Sequence, residues 1–529
     1  MLQKLDFQNP FTTELPADGE LENYNRLVEH ACYSWVTPSP VAQPQLIAYS
    51  TEMAACFQLT EHDCRAESFA QLFAGNQLPP TIKPYATCYG GHQFGSWAGQ
   101  LGDGRAINLG EIIDRSGTPW TLQLKGAGPT PYSRHADGRA VLRSSIREFL
   151  CSEAMAHLGI PTTRALSLIA TGDAVARDML YNGNTQMEPG AIVCRTAPSF
   201  TRFGQFQLFS KRNDVELLKT FTDYTINHDF PHLGAPSQAI YLQWFQEVVD
   251  TTIDLMVHWA RVGFVHGVMN TDNMSILGLT LDYGPYGWLD DFNPDWTPNT
   301  TDRQTRRYRF GKQGEVAGWN LARLAESLIP LIGSKEPLQA ILNHYRSTYH
   351  ARWSAMMMQK LGLQNSIEGD QELIESLQSV LCLTEIDMTL FYRALAKIES
   401  HIPLEQQTHT MLMQSIHEAL YQPEQITTKV ETAICAWLTR YIERLKQQPL
   451  HDVARKIAMN QINPKFILRN YLTQQAIDAA YQGDYSMIET LLQAMRNPYD
   501  EQPQQQSLAQ KRPDWAKHRV GCSMLSCSS

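Results

Sequence analysis

The sequence predicts an α+β fold of two lobes, a first lobe that contains a β-sheet and a second lobe that is mainly helical. Glycine and strand signals concentrate in residues 81–210, whereas beyond residue 210 apolar residues recur at helical spacing. The chain has 529 residues, of which 43% are hydrophobic, so it can bury a sizeable core. Periodicity alone fits several α+β folds, and the choice among them depends on sequence motifs.

Four regions are predicted along the chain. Residues 1–80 form an extension that packs on the core, residues 81–210 form the first lobe, and residues 211–496 form the second lobe. Residues 497–529 combine a linker rich in proline and glutamine with a tail that contains cysteine.

A β-hairpin is predicted in the first lobe. Two strand-like segments, residues 105–113 and 119–125, flank the turn signal Asp-Arg-Ser-Gly. Apolar and polar residues alternate along the second segment, which is typical of a strand with one buried face. Lys125 is expected at the end of that strand.

A helix is predicted to begin at Ser145, where an apolar face starts, and to end near Gly159. Glu148 then falls in its first turn, and two interpretations stay open. Glu148 could orient Lys125 towards a phosphate group. Alternatively, it could close a capping box with Ser145 and satisfy only a backbone N–H group.

Two amphipathic helices are predicted in the second lobe, on either side of a polar motif. Their apolar stripes recur at helical spacing. The first stripe comprises Phe245, Val249, Ile253, Met256 and Ala260, and the second comprises Leu321, Leu324, Leu328 and Leu331.

The polar motif between these helices begins at His266 and is the most informative part of the chain. In protein kinases an Asp follows this His by two residues, and a later Asn and the Asp of Asp-Phe-Gly hold magnesium. Here Asn273 and Asp282 occupy the two metal positions, but Val268 stands where the usual base would be and cannot accept a proton. The nearest carboxylate is Asp272, which is free to act as the base. The motif predicts metal and nucleotide binding for a reaction other than ordinary phosphorylation; the alternative is an Asx-rich turn without a ligand.

Glycine-rich and polar loops supply further candidates in the first lobe. Gly102, Gly104 and Arg105 belong to a Gly-x-x-Gly-x-Gly pattern, which lets a backbone approach phosphate closely but also occurs in plain surface turns. Asp137 and Gly138 lie in a polar loop rich in basic residues, and a structural turn is the alternative there.

Arg195 and Arg202 are candidate phosphate ligands. Apolar residues flank both, so their guanidinium groups could be held near a cleft and bind phosphate through two hydrogen bonds. The alternative is ordinary pairing with carboxylates at the surface.

Charge and composition argue against several classes of partner and location. The 44 Lys and Arg against 54 Asp and Glu give a net charge of −10, which disfavours nucleic acid and anionic membranes as partners. No uncharged apolar run reaches the roughly 18 residues that span a bilayer, and the N-terminus lacks a signal peptide. A cytoplasmic location is therefore expected. The ten cysteines form no Cys-x-x-Cys pair, so most are expected to be reduced thiols.

Several of these segments together resemble the selenoprotein O family of protein adenylyltransferases, kinase-fold proteins long classed as pseudokinases. The resemblance covers about residues 80–320 and resumes at the Cys-Ser-Ser ending. It is carried by residues 89–95 (YGGHQFG), 124–134 (LKGAGPTPYSR) and 266–284 (HGVMNTDNMSILGLTLDYG). In that family ATP lies reversed in the kinase cleft, so that AMP is transferred to a protein hydroxyl and pyrophosphate leaves.

The resemblance implies a role for each matching residue. Asp272 would be the general base, and Asn273 with Asp282 would bind Mg²⁺ or Mn²⁺. The residues that would bind ATP are Gly102, Gly104, Arg105, Lys125, Asp137, Gly138, Arg195, Arg202 and Asp282, with Glu148 orienting the lysine. The partners would be proteins with accessible Ser, Thr or Tyr side chains, and UMP transfer is a related possibility.

The family resemblance also implies redox regulation through the C-terminal tail, in which bacterial members carry a cysteine. Cys527 occupies that position, and Cys522 is the nearest candidate for a disulfide partner because no cysteine occurs between residues 283 and 310. Two functions remain as alternatives to AMP transfer: a kinase that moves the γ-phosphate with Asp272 as a displaced base, and an ATP-binding scaffold without catalysis.

Overall fold

The computed structural model describes residues 5–526, which form the predicted mixed α+β fold. This part of the chain contains the strands β1 (Phe7–Gln8), β2 (Tyr33–Trp35), β3 (Gln45–Tyr49), β4 (Tyr85–Thr87), β5 (Gly90–Gln93), β6 (Ser96–Gln100), β7 (Ala106–Ile113), β8 (Pro119–Lys125), β9 (Arg164–Asp178), β10 (Thr185–Ala197), β11 (Phe264–Val265) and β12 (Gly287–Trp288).

Most of the helices follow the sheet in the sequence. They are α1 (Pro10–Glu14), α2 (Thr51–Cys56), α3 (Glu61–Arg65), α4 (Glu67–Phe73), α5 (Leu142–His157), α6 (Phe203–Lys211), α7 (Val215–Asp229), α8 (Gln238–Val262), α9 (Gln313–Ile332), α10 (Glu336–Lys360), α11 (Asp370–Leu381), α12 (Met388–Leu395), α13 (His409–Ser415), α14 (Thr428–Leu445), α15 (Asp452–Ile462), α16 (Asn470–Ala480) and α17 (Ser486–Met495).

The main sheet is antiparallel, with strand order β2-β4-β7-β8-β10-β9-β3 and with β1 added beside β7. Strands β1, β2 and β3 come from the first 80 residues and pair with β7, β4 and β9. This N-terminal region therefore contributes strands to the sheet as well as packing on it. The division of the chain into four regions stays a prediction.

The predicted hairpin is confirmed as β7 and β8, which pair from Ala106 opposite Lys125 to Ile113 opposite Pro119. Asp114 stabilises the turn between them, because its Oδ1 accepts hydrogen bonds from the backbone N–H groups of Ser116 and Thr118. Lys125 is the last residue of β8, as predicted.

The predicted start of the next helix was wrong by one turn. Helix α5 begins at Leu142, not Ser145, and its N-cap Val141 makes no side-chain capping bond. Ser145 therefore lies inside the helix and Glu148 in its second turn, so the capping-box interpretation of Glu148 is excluded. A cap without a hydrogen-bonding side chain leaves no signal in the sequence.

The two helices predicted around the polar motif are α8 and α9. Helix α8 begins after Ser237, whose hydroxyl accepts a hydrogen bond from the Ile240 N–H group, and ends at Gly263 with φ 77°. Both apolar stripes face the core, although Ala260 is only partly buried. The chain between these helices is largely irregular, with a 3-10 turn at Thr271–Asn273.

Two large clusters of buried apolar side chains, and a small third one around Phe200 and Leu281, stabilise the fold. The first runs from the main sheet through helices α5 to α9 and on to α16 and α17. The second lies mainly among helices α11 to α15. Within residues 5–526, no helix combines the length and apolar character needed to cross a bilayer.

Candidate nucleotide and metal site

One cavity of about 640 Å³ brings together the residues predicted to bind nucleotide and metal. Its volume is in the range of roughly 300–1,000 Å³ that is typical of small-molecule sites. The predicted residues that line it are Gly102, Gly104, Arg105, Lys125, Asp137, Gly138, Arg195, Arg202, Asp272, Asn273 and Asp282. Glu148 lies behind this lining and contacts Lys125. Motifs from distant parts of the sequence therefore meet in one site.

Asp282 lies at the centre of a buried cluster of charges. Its carboxylate accepts hydrogen bonds from Arg195 and Arg202, and Lys125 Nζ lies 3.7 Å from Asp282 Oδ1. Burial alone would raise the pKa of Asp282, but the charges of Arg202, Arg195 and Lys125 lower it well below its usual range. Asp282 also has φ 57°, a conformation that is uncommon for residues with side chains and concentrates at functional sites.

Glu148 is a second carboxylate shared by two of these cations. Lys125 Nζ lies 2.8 Å from Glu148 Oε2, and Arg195 Nη1 donates to Oε1 over 3.1 Å. Arg195 is 1% exposed and Arg202 is 2% exposed, so the alternative of ordinary surface pairing is wrong for both. Burial lowers the pKa of Lys125, and the charge of Glu148 opposes that shift.

Strand register explains why these side chains converge. Gln123 of β8 lies opposite Arg195 of β10, and alternation places Gln123 on the same face of the sheet as Lys125. Gln123 Oε1 accepts a hydrogen bond from the Arg195 guanidinium group. Sequence reasoning missed Gln123 as a site residue, although the alternation of residues 119–125 already placed it beside Lys125.

Asn273 and Asp282 can supply oxygen ligands to a metal ion. The Asn273 amide nitrogen donates to the Val268 carbonyl oxygen over 2.9 Å. The amide oxygen of Asn273, which lines the cavity, accepts no hydrogen bond from any residue in the described range. Amide and carboxylate oxygens are the hard ligands that Mg²⁺ and Mn²⁺ prefer, so the pair fits a divalent ion. Arg195 and Arg202 are competing partners of the Asp282 carboxylate.

A different group, Glu52, Glu153 and His157, also has ligand atoms within 4.8 Å of one another. Both carboxylates already have cationic partners, since Arg164 pairs with Glu153 at 2.6 Å and Arg496 pairs with Glu52 at 2.8 Å. These ion pairs account for the cluster without a metal ion.

Asp272 lies at the edge of the same cavity and is 7% exposed. Gln93 Nε2 donates to Asp272 Oδ2 over 3.3 Å, while Oδ1 is buried and accepts no hydrogen bond from the residues that the structure describes. Burial raises the pKa of Asp272 to about 6. The carboxyl group therefore keeps one oxygen free of protein donors.

The hairpin of β5 and β6 packs directly on the turn that carries Asp272. The His92 backbone N–H donates to Thr271 Oγ1 over 2.7 Å, and the Phe94 N–H donates to Asn270 Oδ1 over 3.2 Å. In the sequence, residues 89–95 are recognisable only as a family signature, and nothing indicates a role for Gln93. The hydrogen bond from Gln93 to Asp272 could not be read from the sequence because 178 residues separate the two.

Close packing within the protein explains the glycines at positions 102, 104 and 138. A side chain at Gly102, which has φ 85°, would overlap the Tyr132 ring, and a Cβ at Gly104 would lie 2.9 Å from the Tyr132 carbonyl oxygen. Gly138 has φ 67° and packs just as closely on the backbone of Gly128. These contacts shape the cavity wall beside Arg105.

Asp137 lies near the mouth of the cavity, where it pairs with Arg177 at 2.7 Å. Its side chain is 43% exposed, so this pair is weak. Arg177 also lines the cavity and was missed, because β9 was not predicted. Asp103, a buried carboxylate 4.0 Å from Arg202, was missed although it lies between Gly102 and Gly104 in the glycine-rich pattern, because that pattern predicts a role only for its backbone.

Of the two predicted redox cysteines in the tail, only Cys522 lies within the described residues. Cys522 is 2% exposed, and burial raises its pKa to about 11, which disfavours the reactive thiolate. No disulfide joins the nine cysteines in residues 5–526. Cys527, the other predicted redox residue, lies outside the described residues, while the neighbouring Leu525 donates its backbone N–H to the Pro298 carbonyl oxygen over 2.9 Å.

Comparisons with known proteins match the chain over most or all of its length. A family model described as protein adenylyltransferase SelO matches residues 20–496. The chain is 54% identical to protein nucleotidyltransferase YdiU of Azoarcus sp. (strain BH72), over 100% of both chains. It is 55% identical to the protein of the same name from Xanthomonas axonopodis pv. citri (strain 306), over 99% of both, and 51% identical to that of Flavobacterium johnsoniae, over 100% of both. The chain therefore belongs to the SelO family of protein adenylyltransferases and is an enzyme of the nucleotidyltransferase class.

Proposed function

We propose that this enzyme transfers AMP from ATP to Ser, Thr or Tyr hydroxyl groups of other proteins and releases pyrophosphate. The observation that carries the proposal is the placement of Asp272 beside the Asp282 charge cluster in one cavity, while Val268 occupies the position of the kinase base. Relatives at 51–55% identity carry the name protein nucleotidyltransferase, which supports the same reaction class. UTP is a plausible second donor for that class of enzyme.

The reaction assigns a task to each charged group. The substrate oxygen attacks the α-phosphorus, the bond from that phosphorus to the bridging oxygen breaks, and pyrophosphate leaves with the electron pair. Asp272 accepts the hydroxyl proton, a step for which positioned bases typically contribute roughly 10²- to 10⁴-fold. Three cations now contact carboxylate oxygens and would contact phosphate oxygens once ATP binds: Lys125, Arg195 and Arg202. They would then stabilise the negative charge that develops on the departing pyrophosphate.

A divalent ion, Mg²⁺ or Mn²⁺, would be held by Asn273 and Asp282 and would supply positive charge against the phosphates. In this proposal Gly102, Gly104 and Arg105 form the wall along which the nucleotide lies. Asp137 and Gly138, which also line the cavity, would contact the nucleotide near the cavity opening. Glu148 keeps the Lys125 ammonium group directed at the cavity.

We also propose that the architecture is the two-lobed one of protein kinases, with ATP reversed in the cleft between the sheet and the helices. The α-phosphate would then face the protein substrate, and the γ-phosphate would lie deepest. Lys125 and Glu148 on the sheet side and Asp282 on the helical side support this arrangement, since they contact each other as one cluster.

The proposal is tested by incubating the protein with acceptor proteins, Mg²⁺ or Mn²⁺, and ATP labelled at the α- or the γ-phosphate. Label should reach protein only from the α position. Transfer only from the γ position would establish a kinase, and transfer from neither would establish a scaffold; both results contradict the proposal.

Variants assign the groups in the same assay. We expect Asp282→Ala to abolish transfer and Asp272→Asn to reduce kcat by about 10²- to 10⁴-fold. Asp484→Ala changes an exposed carboxylate that does not line the cavity, so it should leave transfer unchanged. Normal transfer by Asp282→Ala would mean that the metal site is elsewhere.

A further inference from the structure

A second cavity, of about 260 Å³, lies further along the same face of the sheet. Thr121 lines it, two positions before Gln123 on β8, and Glu111 of β7 lies directly opposite Thr121. Helix α7 closes it through Tyr224 and Asp229. The two cavities share no lining residue, so the second one is a separate site.

Several polar groups face this cavity without a partner in residues 5–526. The Glu111 carboxylate and the hydroxyl groups of Tyr85 and Tyr224 line it, and none of the three side chains forms a hydrogen bond or an ion pair with a described residue. Tyr85 is 2% exposed and Tyr224 is 7% exposed, whereas Glu111 and Asp229 are only partly buried. Asp229 accepts a single hydrogen bond, from Ser199 Oγ over 3.1 Å. Buried polar groups are rarely left in this state.

The ionisable groups that face this cavity are mainly acidic, and they become negative as the pH rises above neutral. None of its lining residues is Lys or Arg, and the His228 ring nitrogen is paired with Glu14 at 2.9 Å. Burial raises the pKa of Asp229 to about 8 and that of Glu111 to about 7, as expected for carboxyl groups without a cation. Once ionised, these carboxylates repel an anionic ligand, whereas a cation would stabilise their charged form.

The lining also favours an organic cation over a bare metal ion. Aromatic rings of Phe11, Tyr85 and Tyr224 form part of the wall. One face of each ring is stacked on another ring, and the remaining aromatic surface attracts ammonium groups. A metal ion needs a tight shell of ligand atoms about 2.0–2.6 Å away. Among the described residues, no three carboxylate, histidine or cysteine ligand atoms come within 4.8 Å of one another at this cavity. The volume is below the roughly 300 Å³ at which typical ligand sites begin, so the ligand must be small.

We propose that this cavity binds a small aliphatic amine as its ammonium ion, with Glu111 and Asp229 as counter-charges and the hydroxyl oxygens of Tyr85 and Tyr224 as acceptors. Diamines are favoured over monoamines because two carboxylates face the cavity. The proposal concerns residues that the transfer reaction does not use, so it stands or falls independently of the proposed function.

The test is isothermal titration calorimetry of the full-length protein at about pH 8.5, where both carboxyl groups ionise. The probes are 1,4-diaminobutane, butylamine, 1,4-butanediol and CaCl₂. We expect saturable binding of the diamine, weaker binding of butylamine and none of the diol. Glu111→Gln and Asp229→Asn should each weaken diamine binding by about tenfold or more, since each removes a charged partner.

Two further variants keep the result decisive. Asp282→Asn, which changes a carboxylate of the other cavity, should retain diamine binding; loss of binding there would place the amine in the nucleotide cavity and overturn the proposal. Tyr224→Phe removes only a hydroxyl group and should weaken binding by severalfold even if a carboxyl variant fails to fold. Absence of diamine binding, unchanged affinity in folded Glu111, Asp229 and Tyr224 variants, or tighter binding of Ca²⁺ than of the diamine would each overturn it.

Discussion

At the scale of single residues, the site is held together by buried charges that have more than one partner. Asp282 contacts Arg195, Arg202 and Lys125, and Glu148 contacts two of the same cations. Lys125, Arg195 and Arg202 therefore each have a carboxylate that balances their charge before ATP binds. Removing one carboxylate leaves a cation buried and under-compensated, which costs more free energy than losing an exposed ion pair.

Glu148→Gln tests this balance. Because Lys125 and Arg195 would lose a charged partner while buried, we expect the free energy of unfolding to fall by about 3–5 kcal/mol. The Michaelis constant for ATP should rise as well, because Lys125 loses its orientation. Urea denaturation and steady-state kinetics measure the two effects.

The matched control is Glu61→Gln, which breaks an ion pair with Arg65 in which both side chains are about two-thirds exposed. Stability should not change measurably there. Equal stability losses in the Glu61 and Glu148 variants would show that the buried carboxylate has no special role in balancing the cluster.

Gln93 acts on the reaction through Asp272. Its amide is the hydrogen-bond donor to Asp272 Oδ2, so Gln93→Ala should leave the base less well positioned. We expect kcat to fall by about tenfold with little change in the Michaelis constant for ATP. Gln77→Ala, at an exposed position outside the cavity, is the control. A rise in the Michaelis constant with unchanged kcat would mean that Gln93 binds nucleotide and does not position the base.

At the scale of elements, the hairpin of β5 and β6 fixes the turn that carries the base. Gly91 of β5 lies against Asp272, and a Cβ at Gly91 would be 2.5 Å from Asp272 Oδ1 and 2.9 Å from its Cβ. Gly91→Ala should therefore displace the carboxyl group. Since misplacement of a reacting group by about 1 Å can cost 10²-fold, we expect transfer to fall by about that factor.

Nucleotide binding by Gly91→Ala should persist, as measured with a fluorescent ATP analogue, because the Asp282 cluster is untouched. Gly19→Ala is the control, since a Cβ there meets nothing within 4 Å. Full activity of Gly91→Ala would show that the hairpin can move away from the base without consequence.

The same elements show what the sequence could predict. The β7–β8 hairpin and helices α8 and α9 have strong local signals, namely a turn sequence, alternation and apolar stripes, and all three predictions are confirmed. Helix α5 was placed one turn late because Val141 at its N-cap carries no capping side chain, whereas Ser145 inside the helix looks like a cap. Local pattern and local structure disagree at that position.

At the scale of the whole molecule, contacts between distant segments decide what the sequence could not reveal. Residues 125, 195, 202, 272, 273 and 282 were predicted as site residues from local sequence and from the family resemblance, and all line one cavity. The hydrogen bonds from Arg195 and Arg202 to Asp282 could not be predicted in this way. They depend on the register of β8 and β10 and on the position of the turn beyond α8. The second cavity had no signal, since Glu111 and Asp229 meet only in the folded chain.

Asp229 gives this second cavity a consequence for the stability of the whole protein. Its pKa is about 8 in the folded state, against an ordinary value near 4, because burial disfavours the charged form. The folded state then binds more protons than the unfolded state between about pH 4 and pH 8, so this group makes stability fall as pH rises through that window. Asp229→Asn removes the titration. We therefore expect the melting temperature of the variant, relative to the parent protein, to rise steadily from about pH 5 to about pH 8.5 when scanning calorimetry is run across this range.

Asp484→Asn provides the contrast, because hydrogen bonds from Ser486 hold the pKa of Asp484 below its ordinary value and its removal cannot raise stability with pH. A pH-independent difference for Asp229→Asn would mean that the carboxyl group is solvated or paired with a cation in the folded protein, and the amine site would then lose one of its two counter-charges.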